Sequence, residues 1–101
     1  IFEDLDVSSI PMKMNLNCYP NPANSFVSIQ WNSDFILSTN VDIYSISGSR
    51  MFSKKLVSQK GENELRWYLK SQEMKKVPSG IYLIKVETSN EVSINKITYL
   101  K

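Results

Sequence analysis

The sequence has no histidine among its 101 residues. That absence removes histidine general-base chemistry, histidine-activated nucleophiles and most zinc and iron sites. A single cysteine, Cys18, allows neither an internal disulfide nor a multi-cysteine metal site, and three glycines are too few for a Walker loop or a dinucleotide-binding turn. No run approaches the roughly 18 apolar residues that would span a bilayer. The opening IFEDLDVSS is acidic where an export signal needs a basic start and a long apolar stretch. Since the sequence opens on isoleucine, a piece of a larger protein is expected, with any such signal upstream. The net charge of +2 is too small for a nucleic-acid-binding domain.

What is present describes one folded domain. Hydrophobic residues make up 42% and charged ones 22%, well away from the composition of disordered chains. Charge is uneven along the chain: residues 50–76 hold eight cations (Arg50, Lys54, Lys55, Lys60, Arg66, Lys70, Lys75, Lys76) against Glu62, Glu64 and Glu73. Solvated strand faces and loops account for this excess, and an acidic surface or lipid head group is the sharper alternative.

Residues 1–12 show neither a period of two nor one of 3.6 and read as a linker to upstream cargo, with the domain proper over 13–101. From Met14 the pattern alternates: Met14, Leu16 and Cys18 lie on one face and Asn15 and Asn17 on the other, as in a half-buried strand. Tyr19-Pro20-Asn21-Pro22 removes two backbone donors, so the chain leaves the sheet there. Val27, Ile29 and Trp31 alternate in a second strand. Val41–Ile46 and Arg50–Val57 are expected to form a hairpin around Gly48, which can adopt positive φ. Leu65, Trp67 and Leu69 define a fifth strand. KSQEMKKVP, residues 70–78, is compatible with at most one helical turn before Pro78. Ile81–Thr88 is a sixth strand with Tyr82, Ile84 and Val86 on one face. Val92–Leu100 is the seventh, its apolar parity slipping between Ile94 and Ile97, which predicts a β-bulge near Asn95-Lys96. Seven short strands with frequent turns predict an all-β, seven-stranded antiparallel immunoglobulin-like β-sandwich.

Candidate chemistry is sparse. Cys18 lacks the basic setting a nucleophile needs and reads as structural. Glu3, Asp4 and Asp6 lack calcium-loop spacing. Asp34, Asp42, Glu62, Glu64, Glu73, Glu87 and Glu91 fall mostly at turns or outward strand positions, with no sign of a convergent pair for glycoside hydrolysis. Trp31 and Trp67 could form a sugar platform, yet both share parity with aliphatic neighbours and read as core. No catalytic residue, metal ligand or cofactor is assigned.

An ordered set of motifs is more specific. Tyr19-Pro20-Asn21-Pro22 follows an apolar strand and VDIYSISG (41–48) lies mid-chain. SGIYLIKV (79–86) comes about twenty residues from the end, and Asn95-Lys96-Ile97 lies in a terminal strand closing on Lys101. In this order the chain resembles the C-terminal sorting domain, type A, of cargo proteins of the bacterial type IX secretion system.

The resemblance implies a non-catalytic C-terminal secretion signal on an exported cargo, read by an outer-membrane translocon and then removed by a sortase-like protease at the cell surface. It implies passage through the periplasm and an end at the surface or in the medium. Position by position, Tyr19, Pro20, Asn21 and Pro22 match the first motif and Gly48 the middle hairpin. Gly80 and Tyr82 match the penultimate strand, and Lys96, Ile97 and Lys101 the last. The expected docking element is that last strand, by an exposed edge or end. The longer KSQEMKKVP connection and Ser45 and Ser47 depart from the commoner pattern. An accessory module binding carbohydrate or a protein partner for an attached enzyme is the other reading, because fold alone does not decide function.

Overall fold

The computed structural model describes residues 14–101, and the expected linker over 1–12 lies outside them. Among the described residues seven strands run β1 (Asn17–Tyr19), β2 (Val27–Ser33), β3 (Leu37–Ser45), β4 (Arg50–Ser58), β5 (Gly61–Trp67), β6 (Gly80–Thr88) and β7 (Val92–Tyr99). All strand pairs are antiparallel, in a three-stranded sheet of order β1-β2-β5 and a four-stranded sheet of order β4-β3-β6-β7. The immunoglobulin-like sandwich expected from strand spacing is the fold.

Alternation makes the core. Val27, Ile29 and Trp31 of β2 meet Val41 and Ile43 of β3, Tyr82, Ile84 and Val86 of β6, and Ile97 and Tyr99 of β7 in one buried cluster. Both tryptophans lie in it, Trp31 1% and Trp67 2% exposed, so neither offers a face to a sugar. A buried indole needs a partner for its N–H. Trp31 Nε1 donates to Ser58 Oγ at 2.9 Å, Ser58 meets Thr39 Oγ1 at 2.5 Å, and Thr39 donates to the Leu37 carbonyl at 3.0 Å. Trp67 Nε1 donates to the Lys70 carbonyl at 2.8 Å.

The structure departs from the pattern reading at four places. β3 begins at Leu37 rather than Val41. The alternation is hidden there because the inward position is Thr39, polar to serve the hydrogen-bond chain beneath Trp31. β5 ends at Trp67, since Leu69 turns into the left-handed region (φ 62) while its side chain remains 3% exposed. β1 begins at Asn17 rather than Met14, while KSQEMKKVP, within its limit of one turn, contains no helix. The expected bulge near Asn95-Lys96 is absent: β7 pairs with β6 in unbroken register from Glu87↔Val92 to Gly80↔Tyr99. The apolar parity slips because two inward positions are polar. Ser93 Oγ donates to the Met14 carbonyl at 3.3 Å, and Asn95 Nδ2 donates to the Leu16 carbonyl at 2.7 Å. These bonds tie the segment entering β1 across to the opposite sheet. A register shift lies instead in the β3–β4 pair, between Ile43↔Phe52 and Tyr44↔Arg50, leaving Met51 as the extra residue.

Candidate functional site

The motif residues divide by what they touch. Tyr19 ends β1 and is 47% exposed. The peptide bonds before Pro20 and Pro22 are cis, and the chain between them turns along the outer edge of β7. There Asn21 acts as a strand in miniature: its Oδ1 accepts the Thr98 N–H at 3.0 Å and its Nδ2 donates to the Lys96 carbonyl at 3.4 Å. Ala23 follows with backbone pairing, donating to the Thr98 carbonyl at 2.8 Å and accepting from the Leu100 N–H at 2.9 Å. Ala23 is fully buried and forms a parallel bridge to Tyr99. The edge of the last strand at Lys96 and Thr98, and at Leu100 just past β7, lies where docking was expected and is thus occupied by the chain's own Asn21 and Ala23. Lone edge strands invite pairing with other chains, and a covering loop is one way folds prevent it.

The other edge of the four-stranded sheet is covered at Met51 and Ser53 by similar chemistry. Gln72, within KSQEMKKVP, donates its backbone N–H to the carbonyl of the bulged Met51 at 2.9 Å, and its Oε1 accepts the Ser53 N–H at 2.8 Å. Farther along β4, Lys54 and Lys55 are exposed, and edge lysines oppose strand addition by charge.

Gly48 closes the β3–β4 hairpin at φ +96, donating to the Ser45 carbonyl at 2.9 Å. A Cβ there would meet no atom within 4 Å, so backbone conformation, not space, calls for glycine. Gly80 opens β6. Tyr82 is core, 2% exposed, with its ring edge-on to Trp67 at 5.5 Å and its hydroxyl donating to the Pro78 carbonyl at 2.5 Å. Burial raises its phenol pKa, with the Tyr99 hydroxyl adding to the rise. Ile97 is 1% exposed. Lys96 is exposed on the opposite face of β7, and the Lys101 N–H donates to Ser79 Oγ at 3.2 Å. The structure therefore brings Tyr19 to Pro22 together with Lys96 at one edge, whereas Tyr82 and Ile97 lie inside.

Pattern reading passed over the outward face of the four-stranded sheet. Inward positions of β6 are Tyr82, Ile84 and Val86, yet Ile81 and Leu83 point the other way and are also apolar. Cross-strand register places Lys96, Leu83, Tyr44 and Arg50 in one row over all four strands, and Ile94, Lys85, Asp42 and Ser53 in the next. Lys85 Nζ lies 5.8 Å from the Tyr44 ring centroid, as expected for neighbours on one face. The available signal was SGIYLIKV itself, apolar at both parities where a solvated face calls for one.

The cysteine and carboxylates stay apart. Cys18 is half-buried, and burial pushes its thiol pKa up to about 11, a hydrogen bond with Asn95 partly opposing the rise. Asp42 lies on the outer face of the four-stranded sheet, accepting from Ser53 Oγ at 2.6 Å with Arg50 at 3.9 Å. Glu64 lies on the three-stranded sheet, bonded to Ser28 Oγ and 3.6 Å from Arg66. Among the described residues, no three His, Cys, Asp or Glu side chains group as a metal site.

Comparison with known proteins bears on these positions. A search of curated proteins returns no match. Two solved structures are similar in fold. One is dimeric latent PorU from Porphyromonas gingivalis, at TM-score 0.74 and 19% identity, covering 91% of this chain. The other is PorZ from the same organism, described as an essential surface component of the type-IX secretion system, at TM-score 0.63 and 18% identity, covering 85%. This chain spans only 10% and 11% of those chains. The family of secretion system C-terminal sorting domains matches residues 17–99. That span runs from the first residue of β1 to the last of β7, so the whole sandwich is the family's unit, and the protein belongs to the secretion system C-terminal sorting domains and carries their role as a secretion signal.

Proposed function

We propose that this domain, fused to the C-terminus of an exported cargo, directs that cargo through the outer membrane by the type IX secretion system and is then cut off by a sortase-like protease. Its partners on this reading are the outer-membrane translocon, that protease and the covalently attached cargo. The cargo passes the periplasm and ends at the cell surface or in the medium. The observation carrying the reading is the coincidence of the family match with the complete sandwich, β1 to β7. A signal read in folded form needs the whole module, and here the first motif closes the edge of the last strand.

A sorting domain is in general non-catalytic, and the raised pKa of Cys18 suits a structural thiol. No helix among the described residues is long and apolar enough to cross a membrane. With Trp31 and Trp67 inside the core, the accessory-module reading lacks the aromatic platform a carbohydrate site would use.

The test is fusion of the 101 residues to a periplasmically exported fluorescent protein in bacteria with and without a working type IX system. Surface or medium fluorescence that disappears in the defective strain, with loss of about 11.6 kDa from the product, is the expected result. Periplasmic retention in both strains refutes it.

A further inference from the structure

Between β4 and β5 the sandwich opens into a groove. Residues directly opposite on paired strands share a face. Phe52 lies opposite Ile43 and Leu65 opposite Ile29, so both point inward, yet both are only partly buried against the core. With Met74, 69% exposed, they line a cavity of about 180 Å³. Lys54 and Lys70 line it too. Lys54 stands opposite the core residue Val41, so it points inward from an edge strand and is nonetheless exposed.

Cations beside an apolar cavity call for an explanation. An inward charge guards an edge strand against pairing, which accounts for Lys54 alone. Lys70 lies outside the strands, in an isolated bridge directly opposite Lys76, and like charges so placed are destabilising. The third cation of the groove, Arg66, is held by Glu64 at 3.6 Å and by the Phe26 ring, whose centroid is 4.6 Å from the guanidinium carbon. Among the described residues the ion pairs are Arg50–Asp42, Arg66–Glu64 and Lys85–Glu87, so neither Lys54 nor Lys70 is answered by a carboxylate.

The chain itself supplies the complement. Residues 14–101 hold eleven cations against seven carboxylates, whereas residues 1–7, IFEDLDV, hold three carboxylates and no cation, interleaved with Phe2, Leu5 and Val7. Reach is sufficient. The Asn15 N–H donates to Asn32 Oδ1 at 3.1 Å, and Asn32 lies opposite Glu62, three residues before Leu65. From Asn15 the groove is about 10 Å across two strand spacings and about 10 Å along β5. Asp6 stands eight residues ahead of Met14, up to about 27 Å of extended chain.

We propose that residues 3–7 dock in the β4–β5 groove of their own domain, Leu5 against Phe52, Leu65 and Met74, and the carboxylates of Glu3, Asp4 and Asp6 beside Lys54 and Lys70. The inference goes beyond the secretion reading and does not depend on it. Where cargo is fused ahead of residue 1, docking fixes the junction against the side of the domain and limits the access of proteases to it.

The experiment uses the purified fluorescent-protein fusion of the full chain and endoproteinase Asp-N, which cuts before aspartate, here at Glu3-Asp4 and Leu5-Asp6. Release of the domain is followed on a gel. Lys54→Glu/Lys70→Glu reverses the unanswered charges of the groove without altering the segment that is cut. Lys55→Glu/Lys60→Glu makes the same change of net charge at exposed lysines that do not line the groove. Melting temperature of each fusion checks folding. A docked segment is cut in proportion to its undocked fraction when docking is fast. The parent and Lys55→Glu/Lys60→Glu should therefore be cut at least about tenfold more slowly than Lys54→Glu/Lys70→Glu. Met74→Ser, which keeps both lysines, should be cut several-fold faster than the parent. Equal rates for the parent and Lys54→Glu/Lys70→Glu overturn the inference and leave the groove to an occupant other than this segment. Equal acceleration by both lysine pairs overturns it too, as a general attraction between an acidic segment and a cationic domain. Protection that rises with protein concentration places the segment in the groove of a second copy and overturns its assignment to the same domain.

Discussion

The two edges of the four-stranded sheet are each covered over part of their length by the same device from unrelated sequence. At β7 a carboxamide, Asn21, accepts one backbone N–H and donates to one carbonyl, with Ala23 adding two backbone bonds. At β4 a second carboxamide, Gln72, accepts one N–H while its own backbone donates to Met51. The first closure comes from YPNP, a motif that marks the family. The second comes from KSQEMKKVP, the segment by which this chain departs from the commoner pattern. Edge protection is a physical requirement of any sandwich with unpaired strands, so the requirement is general and the motif is one solution. A motif residue such as Asn21 can therefore serve closure without touching a partner.

The β7 closure is most sensitive at Ala23. Ala23→Pro removes the N–H that pairs with Thr98 and forces a ring into a site with no exposed surface. Chemical denaturation should show a loss of at least about 3 kcal/mol. Sedimentation velocity should show more self-association than the parent, because the β7 edge is opened. A variant as stable as the parent would mean that Ala23 contributes little to closure.

The carboxamides are compared directly by truncation. Asn21→Ala loses both side-chain bonds and leaves Thr98 N–H and Lys96 carbonyl to water, a cost of about 1–2 kcal/mol. Gln72→Ala keeps the backbone bond to Met51 and loses one side-chain bond, a cost of about 1 kcal/mol or less. Equal costs would show that the second bond of Asn21, at 3.4 Å, contributes nothing.

How legible these closures were follows from the range of each interaction. Alternation of Val27, Ile29 and Trp31, and of Tyr82, Ile84 and Val86, is local, and it gave the strands and their inward faces correctly. Gly48 was legible because positive φ leaves a residue-type trace. Leu37–Asn40 was not, because Thr39 is polar for the sake of Trp31 and Ser58. Nor was the regular register of β7, because Ser93 and Asn95 point inward to carbonyls of Met14 and Leu16 nearly eighty residues away. Asn21 could be recognised as part of a motif, but its partners at Lys96 and Thr98 are set by topology. Gln72 carried no signal of either kind.

The β4 closure can also be strengthened without touching its bonds. Met74, two residues past Gln72, is 69% exposed and sits at φ +66, where a Cβ is unfavourable. Met74→Gly should relieve about 1 kcal/mol of that cost, raising the melting temperature by roughly 4–8 °C. No counterpart exists at the β7 closure, where Asn21 and Ala23 have no positive φ. A fall in melting temperature would show that the greater freedom of glycine in the unfolded chain outweighs the relief.

The smallest expected effect separates closure from charge. Both closures are built from carboxamides and backbone groups, none of which titrates, so the costs of Asn21→Ala and Gln72→Ala should stay constant from about pH 7 down through the carboxylate range. Glu64, which joins β2 to β5 through Ser28, should behave otherwise. Its carboxyl pKa is held below the ordinary value by the Ser28 hydroxyl; partial burial opposes the shift, and Arg66 adds to it. A carboxyl whose folded pKa lies below its unfolded one contributes stability at pH above the unfolded value, and that contribution is lost as pH falls toward the folded one. The cost of Glu64→Gln, measured by denaturation at successive pH values, should therefore be present at neutral pH and shrink below about pH 4.5. A cost for Glu64→Gln that is independent of pH would place Glu64 with Asn21 and Gln72, as a hydrogen-bond acceptor whose charge contributes nothing to holding the three-stranded sheet together.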